Sequence, residues 1–79
     1  MPRFFFNLRN DISVDDEEGK ELPSVEAAHE AARIFAIEMA AVSVADHQHL
    51  NLHHRIEVAD EIGSTVIVVE FGDVVRVES

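Results

Sequence analysis

The sequence predicts an antiparallel α+β domain: a sheet of about four strands, in chain order strand, strand, helix, strand, strand, with one long helix packed on one face. Three observations carry this. Residues 3 to 9 and 55 to 59 show the two-residue alternation of half-buried strands and residues 65 to 71 are rich in β-branched residues, residues 24 to 46 read as a capped, alanine-rich helix, and turn residues join the strands of each pair.

The first strand, Arg3 to Arg9, places Phe4, Phe6 and Leu8 on one side and Arg3, Phe5, Asn7 and Arg9 on the other. Asn10-Asp11 is turn chemistry. Ile12 and Val14 resume the alternation briefly before Asp15-Asp16-Glu17-Glu18-Gly19, whose mutual repulsion and glycine favour a solvated loop, so the second strand should be short and ragged.

Leu22-Pro23-Ser24 announces the helix, with Ser24 as N-cap and Glu26 in the first turn, where the helix dipole favours acids. At 100° per residue, Ala28, Ala32, Phe35, Met39 and Val42 fall within about 40° of one line and form the expected core stripe. His29, Arg33, Glu26 and Glu30 make the first half of the opposite side polar. From Ile34 onward that side turns apolar: Ile34, Ile37, Ala41 and Val44 lie roughly 120 to 200° from the stripe, the mark of a helix covered on more than one side.

A polar connection from Asp46 to His54 contains four of the five histidines. Arg55-Ile56-Glu57-Val58-Ala59 then alternates, Asp60-Glu61-Ile62-Gly63 reads as a hairpin loop, and Thr65 to Phe71 is rich in β-branched residues. Ile67, Val69 and Phe71 should face the helix, leaving Val66 and Val68 outward. Gly72-Asp73 reads as a bulge or tight turn and Val74 to Val77 as a further short strand. One domain over residues 1–79 is expected.

Composition sets several functions aside. Sixteen acids against six bases give a formal charge of −10, with a single lysine, Lys20. That opposes the counterion release that drives nucleic-acid binding, so no nucleic-acid partner is expected. The apolar runs fall short of the roughly 20 residues that span a bilayer, and Met1-Pro2-Arg3 does not lead into the apolar core of a signal peptide. A cytoplasmic protein without membrane contact is expected. The chain has no cysteine, which removes thiol catalysis and thiolate zinc sites together.

Specific residues resemble a known group. Met1-Pro2-Arg3-Phe4-Phe5-Phe6-Asn7-Leu8-Arg9, the segment Asp16-Glu17-Glu18-Gly19-Lys20-Glu21-Leu22-Pro23 and the helix start Glu26-Ala27-Ala28 are similar to an uncharacterised family of short bacterial proteins. Its members open Met-Pro-Arg-Tyr/Phe-Phe-Phe and carry an Asp-Glu-Glu-Gly loop before an alanine-rich helix. Val58-Ala59-Asp60-Glu61-Ile62-Gly63 resembles the family's Val-x-Asp-Glu-x-Gly turn. The resemblance runs the length of the chain and implies a small bacterial α+β domain without an assigned activity. A looser similarity links the strand, the acid-and-glycine loop, Leu22-Pro23-Ser24 and the alanine-rich helix to antitoxin-like domains. Those usually carry a separate DNA-binding tail; no basic tail is expected after Ser79, so this similarity is the runner-up.

For chemistry, His47, His49, His53 and His54 are the candidates, because converging imidazoles bind zinc, copper or nickel. Their spacing is not diagnostic, since His47 and His49 flank a single residue and a strand entry would point His53 and His54 to opposite faces. Asp11, Ser13 and Asp15 imitate the start of a calcium loop. However, Asp16 stands where its glycine belongs and Leu22 where its bidentate glutamate belongs. Ser24 is explained as a cap and Ser43 as a helical residue, and no nucleophile elbow, phosphate-binding glycine loop or metalloprotease motif occurs. A core this thin leaves little room for a substrate pocket of roughly 300 Å³ or more. Neither an enzyme, a cofactor nor a small-molecule substrate is expected.

Excess apolar surface is the remaining signal. Ile34, Ile37, Ala41 and Val44 on the helix, with Phe5, Val66 and Val68 on the remote face of the sheet, exceed what a two-layer monomer should leave wet. The expectation is a small acidic interaction or structural module that self-associates, as a homodimer, through Ile34, Ile37, Ala41 and Val44, aided by Phe5 and Val68. An antitoxin-like partner that masks another protein is the alternative, and a histidine-dependent metal binder the third reading.

Overall fold

Phe4 is buried, and Phe6 and Leu8 pack on the core from the same face of the first strand, as their alternation requires. A computed structural model describes residues 1–10, 13–48 and 50–75. The elements are β1 (Arg3–Arg9), β2 (Ser13–Val14), β3 (Lys20–Glu21), α1 (Val25–His47), β4 (Arg55–Ala59), β5 (Thr65–Glu70) and the single turn α2 (Phe71–Val74). They form an antiparallel five-stranded sheet ordered β2-β1-β4-β5, with β3 also paired to β1. The α+β class is therefore as the sequence predicts.

The ragged second strand has a specific form. β2 pairs Leu8 with Val14, whereas β3 pairs Phe4 with Lys20, so two extra residues of the acidic loop are extruded between them. Gly19 makes the return possible, at φ +72. A Cβ there would meet Phe5 Cε1 at 2.8 Å and Arg3 Cγ at 2.9 Å.

α1 begins as its sequence demands, with the Ser24 hydroxyl accepting the Ala27 N–H at 3.1 Å. It ends at Gln48, in the left-handed region at φ 52, whose N–H donates to the Val44 carbonyl. The helix lies over β4 and β5 rather than over β1. Its buried row is Ala28, Ala32, Ala36 and Ala40, an i, i+4 ridge whose small side chains let the helix sit close to Ile56, Val58, Ile67 and Val69. Phe35 and Met39 flank that row, half-buried. Val42, expected in the core stripe, is 46% exposed, because the stripe follows the alanines rather than the large side chains.

The last strand also departs from expectation. Phe71 is fully buried as predicted, but the chain then turns into α2 instead of continuing as a strand at Val74. The Asp73 carboxylate accepts the Glu70 N–H at 2.9 Å, and Gly72 N–H donates to the Leu52 carbonyl at 2.9 Å. These bonds fold the backbone onto the helix-to-strand connection. Val75 is extended but belongs to no strand, its N–H donating to the Phe71 carbonyl at 3.0 Å, and the rest of the expected strand, residues 76 and 77, lies outside the described residues.

Candidate functional site

Because α1 is offset toward β5, the core-facing side of β1 is only partly roofed. Phe6 and Leu8 of β1, Ala31, Phe35 and Met39 of α1, and Val14 of β2 line an open groove of about 810 Å³. Asp15 to Glu18 and Lys20 form its lip. A thin core is expected to leave little room for a substrate pocket; this open space comes from the lateral offset of the helix, not from the size of the core. The sequence held half of the signal, in Phe6, Leu8, Phe35 and Met39, but nothing in its periodicity fixes where a helix lies across a sheet.

The acidic lip is built, not merely solvated. One Asp16 oxygen accepts the Phe6 N–H at 3.2 Å and the other accepts the N–H groups of Glu18 and Gly19, both at 3.1 Å. Asp16 N–H in turn donates to Asn7 Oδ1 at 2.9 Å. Burial pushes the Asp16 carboxyl pKa up, but the N–H groups of Gly19, Phe6 and Glu18, with the charge of Arg3, outweigh it and hold the pKa below its ordinary value. Asp15 pairs with Arg9 at 2.7 Å. Glu17 and Glu18 are exposed.

The helix row expected to form an interface lies on the solvent side of α1. Ile34 is 46% exposed, Ile37 40% and Val44 51%, and Ala41 is exposed between them. Glu30 and Arg33, paired at 3.0 Å, precede the row. Phe5 and Val68 are elsewhere, on the sheet face turned away from the helix, with Val68 49% exposed and Phe5 half-buried. The structure therefore does not bring the six expected residues into one patch. The remote sheet face is also partly ionic. Glu57 accepts from Arg55 Nε at 2.8 Å and from Arg9 Nε at 3.1 Å, and the Arg55 hydrogen bond, followed by the pull of Arg9, holds the Glu57 carboxyl low against its burial.

Of the histidines, His53 points outward with its Nδ1 3.5 Å from a Glu70 oxygen, while His54 is half-buried edge-on to Phe71, with ring centroids 5.8 Å apart. His53 and His54 thus diverge, although His53 sits in a turn and β4 begins only at Arg55. His49 and the His47 side chain lie outside the described residues. Among the described residues no group of three or more histidine, aspartate or glutamate side chains is placed to hold a metal ion. Nor, among them, is any helix long and apolar enough to cross a membrane.

No curated protein and no solved structure matches the chain. A family model does, over residues 3–72, from the first residue of β1 into α2. That span includes the acidic loop, the offset helix and the β4–β5 hairpin, so the chain belongs to the family described as "Domain of unknown function (DUF6894)".

Proposed function

We propose that this domain is a small acidic protein-interaction module, without catalytic activity of its own, that works in the cytoplasm and self-associates through the outer row of α1. The observation that carries the reading is the exposure of Ile34, Ile37 and Val44 around the small Ala41 on the side of the helix away from the sheet. Water contacting that much hydrocarbon on one helix is unfavourable, at about 25 cal/mol per Å². A two-fold contact would set the same row of each copy against the other, and Ala41 with the neighbouring Ala45 would let two helix axes approach to about 8 to 10 Å.

Charge sets the conditions. Two chains of −10 repel, so moderate salt, which shortens the Debye length to about 8 Å at physiological ionic strength, favours the dimer. Phe5 and Val68 take no part in this contact, since they stand on the other layer.

Sedimentation equilibrium at low and moderate salt tests the reading. The expected result is a monomer–dimer equilibrium that strengthens with salt, and a monomer for Ile37→Glu whose melting curve matches that of the parent at dilutions where the parent is monomeric. A strict monomer at both salts, even near roughly 100 µM, sinks it, and so does an Ile37→Glu variant that still forms the dimer.

A further inference from the structure

The groove beside α1 differs in chemistry from the helix row. Phe6, Leu8, Phe35 and Met39 give it an apolar floor and wall, and Val14, 53% exposed, faces them. The lip carries four successive carboxylates against the single cation Lys20. Asp15 is already paired with Arg9 and Asp16 is spent on main-chain N–H groups. Glu17 and Glu18 stand exposed, leaving the lip with surplus negative charge.

The geometry points to this groove as a docking site for a cationic amphipathic helix of another protein. Its leucine- or phenylalanine-like side chains fill the apolar floor while flanking lysines or arginines meet Glu17 and Glu18. A cleft between a helix and an edge of a sheet suits the apolar face of such a helix, and about 810 Å³ falls within the range of cavities that hold ligands. The flexible thioether of Met39 adapts to differently shaped side chains. The carboxylates chiefly select the partner and speed its encounter, while the apolar floor retains it. A second copy is a poor occupant, since it would bring a further charge of −10 to an acidic lip. This inference uses a different surface from the self-association row and stands apart from it.

Titration of a labelled synthetic helix of leucine and lysine, read by fluorescence anisotropy, tests the proposal, with the same peptide carrying glutamate for lysine as control. The basic peptide should bind and the acidic one should not. Val14→Asp should weaken binding about tenfold or more. That substitution makes the protein more negative, so attraction to overall charge alone would instead strengthen binding. Ile62→Asp, which adds the same charge at the 87% exposed tip of the β4–β5 hairpin, should leave the affinity unchanged. Ile37→Glu should also leave it unchanged, so a failed helix-row contact and a failed groove are separate results. Should Val14→Asp melt abnormally, the exposed pair Glu17→Lys with Glu18→Lys replaces it, with the same expected loss. No binding of the basic peptide at about 100 µM, or binding to the folded groove variant as tight as to the parent, overturns the proposal.

Discussion

The Asp16 carboxylate accepts the main-chain N–H of Phe6 at 3.2 Å, so a side chain does the work of a strand carbonyl where β2 and β3 are split. With its other oxygen on the N–H groups of Glu18 and Gly19, this single acid holds the extruded loop against the edge of β1. Asp16→Ala leaves the Phe6 donor at a partly covered edge and should destabilise by about 1 to 3 kcal/mol. Urea melts check it. A loss under about 0.5 kcal/mol would mean that the loop holds itself without the carboxylate.

The same contact carries a pH signature. The N–H groups hold the folded Asp16 carboxyl below its ordinary 3.8. A carboxyl lower in the folded than in the unfolded state contributes stability that is present above the unfolded value and lost as pH falls through the folded one. The destabilisation caused by Asp16→Asn should therefore be full above about pH 5 and shrink toward pH 3. A difference that stays constant across that range would show that the charge on Asp16 is immaterial.

Gly19 and Gly63 both have positive φ, +72 and +88, but only Gly19 is crowded. Gly63→Ala pays the left-handed backbone alone, about 1 kcal/mol. Gly19→Ala adds the collision with Phe5 and Arg3 and should cost more, about 2 to 3 kcal/mol. Thermal melts of the two variants should rank them in that order, and equal losses would mean that the loop shifts freely away from β1.

Phe71, fully buried, is the aromatic whose removal leaves a closed cavity, so Phe71→Ala should destabilise by about 3 to 5 kcal/mol. Phe35 opens onto the groove, and Phe35→Ala should cost under about 2 kcal/mol. The reverse order in denaturant melts would place the core under β1 instead of β5.

Element identity was largely legible in the sequence, because it is local. Ser24 capping, the Arg3–Arg9 alternation and the Asp60 to Gly63 turn each depend on a few neighbouring residues. What depends on how the layers sit across one another was not. The 100° period puts Ala28 and Ala32 on the core line and they are buried, but it continues that line through Phe35, Met39 and Val42, whereas the line of closest approach runs on through Ala36 and Ala40, where there is no space for larger groups. Phe5 and Val68 are legible as facing away from the helix, and that two-layer order already sets them on the opposite side of the molecule from Ile34 and Ile37, so one contact cannot use both sets. Gly72-Asp73 was read as an interruption. That it becomes a helical turn depends on Leu52, twenty residues earlier, accepting its N–H.

The outer row of α1 as the self-association surface is tested most directly by amide NMR shifts on dilution, from roughly 1 mM to 10 µM at moderate salt. Concentration-dependent shifts should map to residues 34, 37, 38, 41, 44 and 45, while Phe5, Val68 and the acidic loop stay fixed. Shifts confined to β5 or the groove, or none anywhere in the series, would contradict the account.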